Sequence, residues 1–213
     1  MIVFGCDIQN DCPYYFNSKK TGENTKDDYY YVWQAARATS GAPTFFPAAK
    51  FFSEPNPPVF VVDGGVYINN PVLALLIQAK DLYPNDEQNF LLISLGTGNL
   101  KVSRADFPNA GAIKWLGGGA LLEVMMKGAS ETIHRQLQEL VSGHSNSGLK
   151  IPSLKRYERY QQQLPENIAM DDINPETITK LVNLGEALVN EKKNELNKLC
   201  EVLGKKLSRA IAP

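Results

Sequence analysis

"PVFVVDGGVYINNP", Pro58 to Pro71, is a continuous apolar run that ends on an acid, Asp63, and passes through two glycines to an Asn-Asn-Pro step. Its apolar residues are consecutive rather than alternating, the pattern of a strand buried on both faces, as expected in a parallel sheet. "MIVFGCDI" (Met1 to Ile8) and "FLLISLGTG" (Phe90 to Gly98) carry the same signature. Helical patterns separate them: "YYYVWQAARATS" (Tyr29 to Ser40) and "NPVLALLIQAKDLY" (Asn70 to Tyr83). In the second, Asn70 is placed to cap the helix and Pro71 to fill its first turn. The alternation predicts an α/β fold with a mostly parallel central sheet and helices on both faces.

In such sheets functional groups sit at the carboxyl ends of strands, which is where the apolar run places Asp63. Gly64 and Gly65 allow a tight turn and close backbone approach, so a ligand or a second reactive side chain could reach the carboxylate. An Asp-Gly step is equally a turn former that closes a strand. Spacing alone leaves both readings open.

Composition narrows the classes. With 213 residues, 43% of them hydrophobic, the chain can bury the core of one domain. A formal net charge of -1 gives no electrostatic case for nucleic acid or a strongly anionic surface, so any lipid contact is expected to be apolar and local. No apolar run approaches the roughly 18 residues needed to span a bilayer. The N-terminus lacks a basic region and a signal-peptide cleavage pattern, and a soluble, cytoplasmic protein is expected. Cys6, Cys12 and Cys200 are odd in number and lack Cys-x-x-Cys spacing, so they read as reduced thiols rather than a disulfide framework or zinc site.

From about Trp115 the chain turns helical, first in "LLEVMMKGASETIHRQLQELVSG" and then in one long helix expected from Pro175 to Ser208. In the latter Ile178, Leu181, Val182, Leu188, Leu196, Leu199, Leu203 and Leu207 recur at helical spacing, predicting a stripe docked on the core. Polar, turn-rich loops are expected at 17–28, 53–58 and 142–153. "MIVFGCDI" raises a question of its own, because a parallel strand covered on both faces needs neighbours and crossover helices. The sheet is expected to lack its N-terminal part.

"WQAARATSGAPTFFPA" (Trp33 to Ala48), "VDGGVYINNPVLALL" (Val62 to Leu76) and "LLISLGTG" (Leu91 to Gly98) follow one another in an order that closely resembles the patatin-like phospholipase family. "ASETIHRQ" (Ala129 to Gln136), "YERYQ" (Tyr157 to Gln161) and "AMDDINPETITKLVNLGEAL" (Ala169 to Leu188) resemble plant patatin as well. The resemblance spans nearly the whole chain. It implies one partial patatin-like domain over 1–213, with a strand and helix region bearing the catalytic Asp at 1–100 and a mainly helical region at 101–213.

Patatin-like enzymes use a Ser–Asp dyad without His, the Ser lying in a Gly-x-Ser-x-Gly elbow between strand and helix. The resemblance implies that Asp63, in the motif Asp63-Gly64-Gly65, is the proton acceptor for that serine. Physically the role is sound, because a serine hydroxyl is a weak nucleophile until a neighbouring base takes its proton. The resemblance further implies hydrolysis of acyl esters in phospholipids or other lipids, peripheral membrane contact, and no cofactor or metal.

No Gly-x-Ser-x-Gly occurs in these 213 residues, and no Gly-rich loop stands near the start to supply oxyanion amides. "GHSNSG" (Gly143 to Gly148) has Gly two before Ser145 but Ser147 two after it, and it follows a helix rather than a strand. His134 and His144 lack His-Glu-x-x-His spacing and read as solvated or capping residues. "SLGTG" lacks the Gly-Lys-Ser/Thr end of a phosphate loop and reads as a strand end turning. "GGG" (Gly117 to Gly119) reads as a hinge, and "LLEVMM" with Trp115 as core or as an apolar lip for acyl chains. Arg37 reads as a structural pairing residue, with contact to a phosphate head group as the other option.

Three functions follow. The first is the Asp-bearing part of a lipid acyl hydrolase, inactive alone for want of the nucleophile. The second is a non-catalytic patatin-like module that binds lipid or protein. The third, a hydrolase using an unrelated serine such as Ser145 or Ser94, has only the presence of serines behind it.

Overall fold

The computed structural model describes residues 1–17, 30–53, 56–83, 90–100, 107–116, 120–142, 154–169 and 171–211. Two compact units emerge, one made of residues 1–94 and 105–158, the other of 95–104 and 159–213.

The first unit is built on a four-stranded sheet in the order β2-β1-β4-β3, from β1 (Ile2–Asp7), β2 (Cys12–Asn17), β3 (Ala49–Ser53) and β4 (Asn56–Asp63). All three pairings are antiparallel, with Asp7 opposite Cys12, Gly5 opposite Asp63 and Ala49 opposite Val61. The α/β class holds, but the expected parallel pairing does not describe this sheet. A continuous apolar run reports cover on both faces and is silent on the neighbour's direction. Residues 8–11 and 54–55 are far too short for a crossover, so each can only fold its strand back beside the last.

The first of these hairpins carries its own lock. The buried Asp7 carboxylate accepts the N–H of Gln9 at 2.8 Å and of Asn10 at 3.3 Å, and the Asn10 side-chain amide at 2.7 Å. Asp11 then takes φ 51°, the left-handed conformation that Asp tolerates better than most residues.

Helix α1 (Val32–Thr39) lies against this sheet through its smallest side chains. Ala35 and Ala38 are buried with Phe16, Ala49, Phe51 and Val61, and the absence of bulk at 35 and 38 lets the helix backbone approach the strands. Tyr30 and Tyr14 meet through their hydroxyls and stack edge-on around Phe16.

A second core of the same unit gathers Val72 and Leu76 of α3 (Val72–Leu82) with Leu137 of α5 (Ala120–Ser142). Phe90 and Leu92 of β5 (Phe90–Leu95) and Tyr157 of β7 (Leu154–Tyr160) pack onto it, β5 pairing with β7 in a two-stranded sheet. Between β4 and α3 runs the short helix α2 (Gly65–Ile68), and α4 (Ala112–Leu116) precedes α5.

In the second unit β6 (Asn99–Leu100) pairs in parallel with β8 (Gln163–Leu164). The expected single C-terminal helix is two, α6 (Pro175–Glu191) and α7 (Lys193–Ile211), divided at Lys192. The six residues from Asn190 to Glu195 are all polar, so nothing apolar holds that turn of helix in place. Nor is the apolar stripe buried throughout: Leu199 is 6% exposed, whereas Ile178, Val182 and Leu203 are 50%, 53% and 45% exposed. The start of α6 is capped from two residues upstream, Asp172 accepting the Asn174 N–H at 2.9 Å and the Thr177 hydroxyl at 2.9 Å. Those bonds, the Asn174 N–H first, hold the Asp172 carboxyl below its ordinary pKa.

Among the described residues no helix is long and apolar enough to cross a membrane. Cys6, Cys12 and Cys200 are free.

Candidate active site

Asp63 ends β4, directly opposite Gly5 of β1. Its N–H turns away from the sheet and donates to the Gly41 carbonyl at 3.2 Å. Its side chain folds back over its own turn, Oδ1 accepting the Gly65 N–H at 2.8 Å. No described residue donates to Oδ2, and the group is half-buried.

The two glycines serve different purposes. A Cβ at Gly64 would lie 2.8 Å from the Phe4 carbonyl oxygen and 2.9 Å from its carbon, inside the closest real contacts. Gly64 therefore lets β4 turn against the backbone of β1, an approach made by the protein itself rather than a ligand. At Gly65 a Cβ would meet only the Asp63 carboxylate, at 3.3 Å from Oδ1. From Gly64 the chain starts helix at once, its carbonyl accepting Tyr67 N–H at 3.1 Å and Ile68 N–H at 2.8 Å. The Tyr67 hydroxyl then returns to the sheet and donates to the Gly5 carbonyl at 3.0 Å. Burial pushes the Tyr67 phenol up, with Tyr15, Cys6 and Cys12 adding to it, so it remains a donor.

Asn70 does not cap α3. Pro71 occupies the cap position without a side-chain bond, and the Asn70 side chain is committed elsewhere. Buried at 3% exposure, it accepts the Ser94 hydroxyl at 3.2 Å and points its amide at the Ser130 carbonyl, 3.4 Å away. The "INNP" step thereby ties the end of α2 to β5 and α5. Ser94, one of the two alternative nucleophiles, is itself buried and donates its hydroxyl to Asn70.

The described contacts of Arg37 are structural, but with a backbone carbonyl and a ring rather than a carboxylate. Nη2 donates to the Pro47 carbonyl at 2.7 Å, and the guanidinium sits 5.8 Å from the Phe46 ring centre. His134 is half-buried and its Nδ1 lies 3.0 Å from the Tyr157 hydroxyl, an α5 to β7 link rather than a solvated group. "SLGTG" turns from β5 toward β6, with Gly98 at φ 116° beside Leu164. "LLEVMM" is not a buried stripe at its start, since Leu121, Leu122 and Met125 are all exposed. Ser145, His144 and Gly117 to Gly119 lie outside the described residues. Among the described residues no group of three or more His, Cys, Asp or Glu side chains could hold a metal ion.

Sequence reasoning missed three contributors: Gly41, whose carbonyl holds Asp63, and the Gly5 and Tyr67 pair behind it. The "SGAP" turn former was visible for Gly41. The other two depend on a contact 62 residues apart, which no local pattern encodes.

Residues 4–76, which contain most of β1, all of β2 to β4, α1 and α2, and Asp63, match the sequence profile of patatin-like phospholipases. Patatin-like protein 3 of Arabidopsis thaliana is 30% identical over 185 residues, 75% of this chain and 41% of that protein. Patatin-like protein 2 of Oryza sativa subsp. indica is 27% identical over 180 residues, 72% of this chain and 43% of that protein. Calcium-independent phospholipase A2-gamma of Mus musculus is 26% identical over 176 residues, 82% of this chain but 20% of the relative. The chain thus spans about two fifths of the plant relatives' length and one fifth of the mouse protein's. On these matches the chain resembles the patatin-like phospholipases, with residues 4–76 matching the profile of that family.

Proposed function

We propose that this chain is the Asp-bearing part of a patatin-like lipid acyl hydrolase, in which Asp63 accepts the proton of a serine that these residues do not offer in a Gly-x-Ser-x-Gly setting. One observation carries the reading: Asp63 stands at a strand end with Oδ1 held by Gly65 N–H at 2.8 Å and, among the described residues, no donor to Oδ2. Held in this way, the carboxylate keeps one orientation while its second oxygen is available as a base.

The reaction would run as a two-step acyl transfer. Serine Oγ attacks the ester carbonyl carbon as its proton passes to Asp63 Oδ2, and the tetrahedral intermediate collapses to an acyl-enzyme. The leaving alcohol takes that proton. Water then attacks the acyl-enzyme, again giving a proton to Asp63, and the fatty acid departs as the serine is restored. The substrate class is a phospholipid or other acyl lipid. Exposed aromatic side chains, Trp33 at 65% and Phe46 at 57%, favour peripheral contact with a lipid surface, and three free cysteines fit a cytoplasmic setting.

The test is reconstitution. The 213-residue chain alone should give no turnover of p-nitrophenyl esters. A fusion placing the Gly-x-Ser-x-Gly part of a patatin-like relative before Met1 should turn them over and lose the activity in Asp63→Asn. A folded fusion that binds lipid vesicles yet has no turnover would favour the non-catalytic binding module. Turnover by the chain alone, abolished by Asp63→Ala, would reveal an unrecognised serine.

A further inference from the structure

Between α1 and β3 the chain makes a turn with an unusual conformation. Gly41 N–H closes onto Ala38 O at 3.1 Å, and the N–H groups of Phe45 and Phe46 both return to Ala42 O, at 3.2 and 3.0 Å. At its tip Thr44 takes φ 79°, a left-handed conformation in which a β-branched residue is disfavoured. Such a turn persists only when its surroundings hold it. The hold comes from Arg37, whose Nη2 donates to Pro47 O at 2.7 Å and whose guanidinium lies against Phe46. The guanidinium passes close over Gly41, where a Cβ would lie 2.8 Å from Arg37 Nη1 and would push the guanidinium aside.

The clasped turn contains the one carbonyl to which the Asp63 N–H donates, that of Gly41 at 3.2 Å. From this we infer that Arg37 is a positioning residue for Asp63, clasping the Gly41–Pro47 turn so that Gly41 fixes the backbone from which the carboxylate is presented. The inference rests on the reading of Asp63 as proton acceptor, but its geometry can be tested without activity. The described contacts of the arginine are to Pro47 and Phe46, not to the carboxylate. The arginine acts through the turn.

Amide hydrogen exchange, resolved by NMR on the 213-residue chain, reads the Asp63 N–H directly. In Arg37→Ala that amide should exchange at least about tenfold faster, with Phe45 and Phe46 following, while Val61 and Cys6 within the sheet change less than about twofold. Arg37→Lys, which keeps a donor on a flexible stem, should restore part of the protection and guards against misfolding of the alanine variant. Thr44→Gly removes the strain that the clasp opposes, so Arg37→Ala/Thr44→Gly should recover protection at Asp63 relative to Arg37→Ala. Unchanged exchange at Asp63 in Arg37→Ala, or acceleration spread evenly over β3 and β4, would overturn the proposal. If the variant does not fold, failure of Arg37→Lys to differ from wild type at Asp63 would do the same. Turnover in the reconstituted enzyme tests the proton-acceptor role separately, so either idea can fail alone.

Discussion

The backbone N–H of Asp63 donates to the carbonyl of Gly41 at 3.2 Å, joining the last residue of β4 to the turn that follows α1. Two stretches that are 22 positions apart in sequence meet there, and they are the "ARATSGAPTFFP" and "VDGG" segments. One segment thereby holds the backbone of the other.

Gly64 is fixed by sterics rather than by conformational freedom, since its φ of -63° suits any residue. Gly64→Ala should destabilise the chain by about 1–3 kcal/mol, as overpacking against backbone does. Urea unfolding should show a lower midpoint with an unchanged slope. The paired change Gly65→Ala, which meets only a side chain, should cost much less.

Asn70→Ala removes both the acceptor of the Ser94 hydroxyl and the donor aimed at Ser130, in a buried site. A loss of about 1–3 kcal/mol is expected from disrupting a buried polar link. Asn70→Asp offers no amide to the Ser130 carbonyl and should not rescue it. Thermal melts of the three proteins side by side would check this.

Asp7 supplies a pH dependence. Burial pushes its carboxyl up, but the hydrogen bonds from the Asn10 side chain and from the N–H groups of Gln9 and Asn10 together outweigh it, leaving the pKa lowered. A carboxyl with a lowered pKa in the folded state contributes stability above the unfolded value, near 4, and loses it as pH falls through the lower folded value. Melting temperature should therefore drop on acidification below about pH 4, and Asp7→Asn should flatten that limb while lowering the plateau at neutral pH. A limb of equal steepness in the variant would assign the effect to other carboxyls.

Tyr31, Val32, Trp33, Phe45 and Phe46 are each at least half exposed around α1 and its turn, an apolar concentration that promotes association. Sedimentation velocity should show concentration-dependent self-association. Substituting Trp33, Phe45 and Phe46 together by serine should shift the chain toward monomer without moving its far-UV spectrum.

Much of this was legible in sequence, and the parts that were not share a cause. The apolar run before Asp63 announced a strand end, and "YYYVWQAARATS" announced a helix. Both are local patterns. The strand β2, "CPYYFN", was hidden by a proline and by aromatic residues without a clear period, and with it went the hairpin that makes the sheet antiparallel. Asn70 looked like a cap because its local sequence permits one, yet the buried Ser94 and Ser130 outcompete the helix end for its amide. The division at Lys192 follows from six polar residues in a row, a gap in the stripe that periodicity averages over. The strand-end position of Asp63 was read correctly, whereas Gly41, which accepts its N–H through a backbone carbonyl, leaves no mark in side-chain chemistry.

The most direct measurement of the central claim is the rate at which a fluorophosphonate labels the serine of the reconstituted fusion, since that rate reads proton acceptance without binding of a natural lipid. With Asp63 intact, labelling should be rapid and confined to the Gly-x-Ser-x-Gly serine. In Asp63→Asn it should fall by about 10²–10⁴, the usual worth of a positioned general base. Equal labelling rates in the two proteins, both folded, would contradict the assignment of Asp63 as the proton acceptor.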